Sequence, residues 1–219
     1  MSALKKILGW MPQLLSGARI TILLTLCAVS AGILLGIFIA LGKMSKHKVL
    51  RNLCSAYTFF FRGTPLLMQL YFVYYGLPEI NRALTINNQF LAAFIAYSLN
   101  SAAYCSEIIR AAIQSIDKGQ SEAAQVLGMN YFQTMRLVIL PQSIKRLVPP
   151  IGNEFIMLLK DASLVSLIAL ADITKVTRSI QSSTTSSLVY IPAMILYLII
   201  TAVFTLVFRQ LEKRHSVYE

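Results

Sequence analysis

The sequence predicts an all-α protein that crosses a lipid bilayer five times. Two observations on composition and one on pattern carry this reading. Apolar types make up 56% of the 219 residues and charged types 13%, about half the usual charged share. Mean hydropathy is +0.64. The apolar residues are also bunched: 23 consecutive uncharged residues run from Ile20 to Gly42, 24 run from Ala83 to Ser106, and a last apolar block covers Leu188 to Phe208. About 20 helical residues cross the ~30 Å hydrocarbon core, so each of these runs can span it.

The elements follow in order. Lys5 to Gly17, with Trp10 beside its basic residues, reads as an interfacial helix on the membrane surface. No long apolar run precedes Pro12, so this stretch is not expected to be a cleavable signal. Span one covers 19–42. Span two, 52–78, carries Arg62 in its interior; span three covers 84–110. Span four, 143–171, contains Glu154, Lys160 and Asp161, and span five covers 188–209. Between the last two, Ser179–Ser187 reads SIQSSTTSS, expected as a solvated linker. The whole chain, 1–219, is read as one transmembrane domain.

Charge sets the orientation. Twelve Lys and Arg residues fall in the loop after span one, the loop between spans three and four, and the C-terminal tail. Six fall on the other side: Lys5, Lys6, Arg19, Arg82, Lys175 and Arg178. The positive-inside rule then places the N-terminus outside and the C-terminus in the cytoplasm. The net charge of +11 is accordingly a topological signal, and no nucleic acid partner is expected. The outside loops are short, so another protein must deliver any solute this one handles.

Several chemistries are excluded. Cys27, Cys54 and Cys105 are scattered in apolar sequence without paired spacing, so neither a disulfide framework nor a metal site is expected. The two histidines, His47 and His215, sit in basic flanks and leave no Ser–His pair within a span. No GxxxxGK[ST] occurs, so the chain has no phosphate-binding loop of its own.

The longest loop, 117–141, is the most informative. Ser121 can cap a short helix there, and Gly128 suits the left-handed position that ends it. A second helix is expected from Asn130, stopping or bending before Pro141. Ala124, Leu127, Tyr131, Met135 and Val138 recur at spacings of three and four, an apolar stripe on a loop that lies in water. From pattern alone the stripe fits a loop helix resting on its own bundle as well as a face for a partner. Glu122-Ala123-Ala124, then Gly128, then Ile139-Leu140-Pro141, resembles the EAA motif of ATP-binding cassette (ABC) importer permeases. Phe61-Arg62-Gly63-Thr64-Pro65-Leu66-Leu67 and the stretch from Asn153-Glu154 to Lys160-Asp161-Ala162-Ser163-Leu164 are similar to segments of the polar amino acid branch, which takes histidine, lysine, arginine, glutamine, glutamate or cystine. Cys105 and Ala162 stand where that branch leads one to expect Ala and Thr.

The resemblance implies a type I importer permease in the bacterial inner membrane. It implies two permease subunits, identical or paralogous, and two cytoplasmic ATPases that carry ATP and Mg²⁺. An extracellular or periplasmic amino acid-binding protein would deliver the solute. Glu122, Ala123, Ala124, Gly128, Leu140 and Pro141 would form the coupling surface. The different-class alternative is a membrane scaffold or enzyme whose amphipathic loop lies on lipid.

Ionisable groups at membrane depth usually face a cavity or a partner. Glu154 and Asp161 are seven residues apart and so lie on one helical face, about 10 Å apart along the axis, with Met157 and Leu158 between them. They can line a cation site, or be neutralised by Lys160 or Arg62. Thr64-Pro65 breaks span two, which is either a packing kink or a site whose freed backbone groups hold a solute alongside Thr64 and Met68. Asn100 in span three fits an interhelical hydrogen bond or a ligand contact equally well. Two carboxylates favour a basic substrate (arginine, lysine or histidine), with glutamine or another polar amino acid as the alternative.

Overall fold

The computed structural model describes residues 3–215, with side chains from 5 to 213. The described residues form ten α-helices joined by short 3₁₀ and π turns: α1 (Ala3–Lys43), α2 (Lys48–Gly63), α3 (Leu66–Tyr71), α4 (Leu77–Ile80), α5 (Gln89–Gln114), α6 (Lys118–Val126), α7 (Tyr131–Thr134), α8 (Leu140–Asp161), α9 (Ile173–Thr184) and α10 (Tyr190–His215).

The expected interfacial segment is helical, but it is no separate element. It runs straight into span one as a single helix of 41 residues, about 60 Å long. Pro12 does not end it because tertiary packing holds both sides of the proline: Trp10 and Leu14 are buried against Ile173, Ile180, Val189 and Ala193 of the last third of the chain. At Gly17 an added Cβ would lie 2.8 Å from the Asp172 carbonyl carbon, so only glycine lets the start of α9 cross so closely.

The larger core joins α1, α3, α5 and α8 through Leu24, Ala28, Leu70, Ala96, Tyr97 and Phe155. Here α1 and α5 meet on small residues, Gly32 facing Ser101 and Ala102, and Gly36 facing Cys105 and Ser106. Backbones approach this closely in membrane bundles because dispersion contacts, rather than water exclusion, drive association there. Phe155 and Gly152 of α8 receive Phe204 and Phe208 of α10. Much of the outer surface is apolar, Leu34, Phe38, Phe59 and Leu198 among it. Lys5–Lys43 and Ser187–Lys213 are long and apolar enough to cross a membrane by length and composition.

Three local expectations are corrected. The linker expected at Ser179–Ser187 is mostly helix, the second half of α9. That helix is amphipathic and N-capped by Asp172, whose carboxylate accepts from the Thr174 and Lys175 amides at 2.9 and 2.8 Å. Span four, read as one stretch to residue 171, is α8 followed by a 3₁₀ segment, Ala162–Ile168, that ends on left-handed Ala169. Of the two outcomes expected before Pro141, a stop or a bend, the chain does not stop. A π turn over Met135–Ile139, in which the Leu140 amide donates to Met135 O, carries α7 directly into α8 with Pro141 in its first turn. Proline is tolerated in a first turn because its missing amide would lack an intrahelical partner there.

Candidate functional site

The break in span two is built as expected. α2 ends at Gly63, Thr64 and Pro65 are extended, and α3 starts at Leu66. Its freed groups, however, are already partnered. The Gln69 amide donates to Phe61 O (2.9 Å), Thr64 O (3.1 Å) and Thr64 Oγ1 (2.8 Å). Asn100 Nδ2, from α5, donates to Phe61 O at 3.1 Å and to Gln69 Oε1 at 2.9 Å. Of the two roles open to Asn100, the structure displays the interhelical hydrogen bond. Thr64 and Met68 line an apolar cleft of about 450 Å³ with Phe60, Phe72, Ile95 and Leu99.

Glu154 lies elsewhere. It is 7% exposed, and the Ser101 hydroxyl of α5 donates to its Oε1 at 3.1 Å. One helical stretch onward, the Tyr97 hydroxyl donates to the backbone carbonyl of Asp161 at 2.7 Å. The face expected to carry both acids splits along its length. Leu158 is buried, Met157 is 55% exposed, and Asn153, Lys160 and Asp161 are exposed beside it, which leaves Glu154 at the buried edge of an exposed strip. The neutralising pairs considered for the acids are not made: neither Glu154 nor Asp161 forms an ion pair with Lys160 or Arg62, and the ion pairs of this region join Glu107 to Lys43 and to Arg110. Arg62 instead stands over the Tyr104 ring, 5.3 Å from its centroid.

The long loop carries two capped helices. Asp117, not Ser121, caps α6, its Oδ1 accepting from the Gly119 amide at 2.7 Å. An acidic side chain at this position is favoured by the positive end of the helix dipole. α6 closes on Gly128 at φ +77°, where the Gly128 amide donates to Gln125 O (2.9 Å) and the Met129 amide to Ala124 O (3.0 Å). This pair of bonds is the Schellman arrangement, which requires a left-handed residue. Asn130 and Gln133 then form a reciprocal capping box at the start of α7. Ala124 is buried, while Val126, Leu127, Tyr131 and Phe132 are 87, 78, 82 and 69% exposed. Of the stripe, Leu127 and Tyr131 project, with Val126 and Phe132 beside them, while Ala124 is buried and Met135 and Val138 are half-buried. Glu122 and Ala123 are exposed beside it, and Leu140 and Pro141 lie at the root of α8.

Residues 32–217 match the family described as binding-protein-dependent transport system inner membrane component. The chain belongs to that family. It is 41% identical to the L-cystine transport system permease protein TcyB of Bacillus subtilis (strain 168) over 94% of this chain and 88% of that one. It is 40% identical to the arginine transport system permease protein ArtQ of the same organism, over 93% and 92%. A crystal structure of an amino acid ABC transporter with histidines superposes with a TM-score of 0.91 at 41% identity, covering 98% of this chain and 99% of that one. The protein is thus an inner-membrane permease subunit of an amino acid ABC transporter, and its family works with a solute-binding protein and an ATPase.

In this permease, Gln69, Tyr97 and Lys43 escaped sequence reasoning. A glutamine two residues from a tyrosine-rich run gives no sign that it will fold back on a break five to eight residues earlier. The signal available was the break itself, since three unpaired acceptors at membrane depth demand a donor. Glu107 and Arg110 are a local pair, three residues apart on α5, but the third member, Lys43, comes from 64 positions away and also donates to Thr58 Oγ1 at 2.8 Å.

Proposed function

We propose that this permease conducts basic amino acids, with Glu154 receiving the cationic end of the solute. The observation that carries the reading is a buried carboxylate with one hydroxyl donor and no counter-cation within ion-pair distance. A desolvated acid is stabilised by a positive partner, and an arginine, lysine or histidine side chain supplies one. Asp161, exposed on the same strip and likewise without an ion pair, adds negative potential at the entrance, and Met157 gives the strip an apolar wall. Similarity to the arginine permease supports this reading. The nearly equal similarity to the cystine permease favours a second one, a neutral polar solute held by hydrogen bonds.

Glu154→Gln keeps the size and removes the charge. Arginine uptake should fall relative to glutamine uptake by about 10- to 100-fold, the equivalent of about 1.5–3 kcal/mol for one charge-assisted hydrogen bond. The assay compares both solutes in wild-type and mutant complexes supplied by a binding protein that delivers both. Equal losses for the two amino acids would assign Glu154 to the structure and remove the basic-substrate reading.

The loop from Glu122 to Pro141 is proposed as the coupling surface for the ATPase. The projecting Val126, Leu127, Tyr131 and Phe132 offer apolar contacts, and Glu122 a charged rim. Two permease subunits and two ATPases would complete the transporter, with ATP and Mg²⁺ held by the ATPases. ATPase closure would pull the paired loops together and rock the helices around the Glu154 strip, exposing it alternately to the two sides.

The five stretches 19–42, 52–78, 84–110, 143–171 and 188–209 are proposed as the membrane crossings of a single domain, with the N-terminus outside. Ser2 and Ser216 lie outside the described residues but suit a test of orientation. In a chain whose three native cysteines are replaced, a cysteine at position 2 should react with an impermeant thiol reagent added outside, and one at 216 should not. Reversed labelling would put the coupling loop on the wrong side of the membrane for an ATPase.

A further inference from the structure

We propose that Ser101, held in place by Gly32, is the positioning residue that sets the charge preference of Glu154. The inference rests on Glu154 as the cation-receiving group. Ser101 is fully buried, and its hydroxyl is the only hydrogen-bond donor to the Glu154 carboxylate among the described residues. One donor meets one oxygen and leaves the second oxygen for the solute.

Ser101 reaches Glu154 because of what stands behind it. A Cβ on Gly32 would lie 2.8 Å from both the Cβ and the Oγ of Ser101, closer than real side chains pack. α5 can therefore seat Ser101 against α1 only where α1 has no side chain. The Cys105 sulfur, one turn further along α5 and 3.7 Å from Ser101 Oγ, flanks the hydroxyl on its own helix. Tyr97, one turn in the other direction, ties α5 to α8 at Asp161 O. The serine is thus fixed between three helices, and the carboxylate is aimed by a group that does not itself meet the solute.

Gly36 offers a matched control. Its absent Cβ would come equally close to α5, 2.9 Å from Cys105 Cβ and 3.1 Å from the Ser106 amide, with these nearest contacts about one turn beyond Ser101. Damage to the α1–α5 contact alone should appear with both glycines; a change in selectivity should appear only with Gly32.

The test measures arginine and glutamine uptake by the assembled transporter for Ser101→Ala, Ser101→Cys, Gly32→Ala, Gly36→Ala, Glu154→Gln and the Ser101→Ala/Glu154→Gln double variant. Ser101→Ala should lower the arginine-to-glutamine ratio about tenfold, chiefly through the half-saturating arginine concentration. Ser101→Cys fills the same space with a weak donor, so it should shift the ratio in the same direction even where the alanine variant assembles poorly. Gly32→Ala should follow Ser101→Ala, whereas Gly36→Ala should scale both solutes alike. In the Glu154→Gln background, Ser101→Ala should add no further change in the ratio. If Glu154→Gln shifts the ratio and neither Ser101 variant does, the positioning role is overturned and the Glu154 reading stands. If Glu154→Gln leaves the ratio unchanged, both fall together.

Discussion

Replacing Gly128 by proline is expected to abolish amino acid uptake while leaving the chain folded in the membrane. The residue sits at φ +77° and donates its amide to Gln125 O. Proline is confined to φ near −65° and has no amide to donate, so α6 can neither close on Gln125 nor turn into the capping box at Asn130. The damage stays local, because an added Cβ at 128 would meet no atom within 4 Å. What changes is the direction in which Val126 and Leu127 leave α6 relative to Tyr131 and Phe132. A coupling surface split in this way should no longer seat the ATPase, and solute-stimulated ATP hydrolysis should fall with transport. Glu122→Lys should act in the same direction by inverting the charge at the rim. Normal stimulated hydrolysis in a reconstituted Gly128→Pro complex would rule out this loop as the point of contact.

Glu107→Ala is expected to destabilise the permease more than any other single charge removal. Its carboxylate holds two cations at once: Lys43 at the end of α1, and Arg110, whose Nη2 lies 2.6 Å away. The Lys43 and Glu107 side chains are only 14% and 16% exposed. Breaking one partner of a buried pair costs about 3–5 kcal/mol, and the low end applies to groups that keep some contact with water. The loss should register as about 3 kcal/mol in denaturant unfolding in mixed micelles, because Lys43 would retain Thr58 as its hydrogen-bond partner but no counter-charge. Changing Lys43 to methionine in the same chain should recover most of it, since the more buried of the two orphaned cations is then gone. An unaltered unfolding free energy in Glu107→Ala would mean that the network is solvated and contributes nothing.

The two helices long and apolar enough to cross a bilayer, α1 and α10, were legible in the sequence because they depend on a one-dimensional property. Run length of uncharged residues decides whether a helix can span hydrocarbon, and no tertiary contact alters that count. The helix break at Thr64-Pro65, the start of α7 at Asn130 and the turn at Gly128 were legible for a similar reason: proline, asparagine and glycine act on the backbone within a few residues of themselves. Where a local rule met a competing tertiary contact, the contact prevailed. Pro12 does not end α1, because α9 and α10 clamp the helix on both sides of it. Pro141 does not separate the loop from α8 for a local reason, since it falls in the first turn of that helix, where its missing amide has no partner to lose. The α9 segment looked like a polar linker since half of its residues are Ser or Thr, yet one buried cap and one stripe of isoleucines turn it into a helix across α1. The site divides along the same line. Glu154, Asp161, Asn100 and Thr64 could be named from residue type and depth alone. For Glu154, Asp161 and Asn100, which is buried, which is already hydrogen-bonded and which stands open depends on neighbours 31 to 64 positions away. A glycine on α1 that admits Ser101, and a glutamine that folds back on a broken helix, acquire their roles only when the helices pack, since hydrogen bonds and steric gaps at 3 Å are properties of three-dimensional distance.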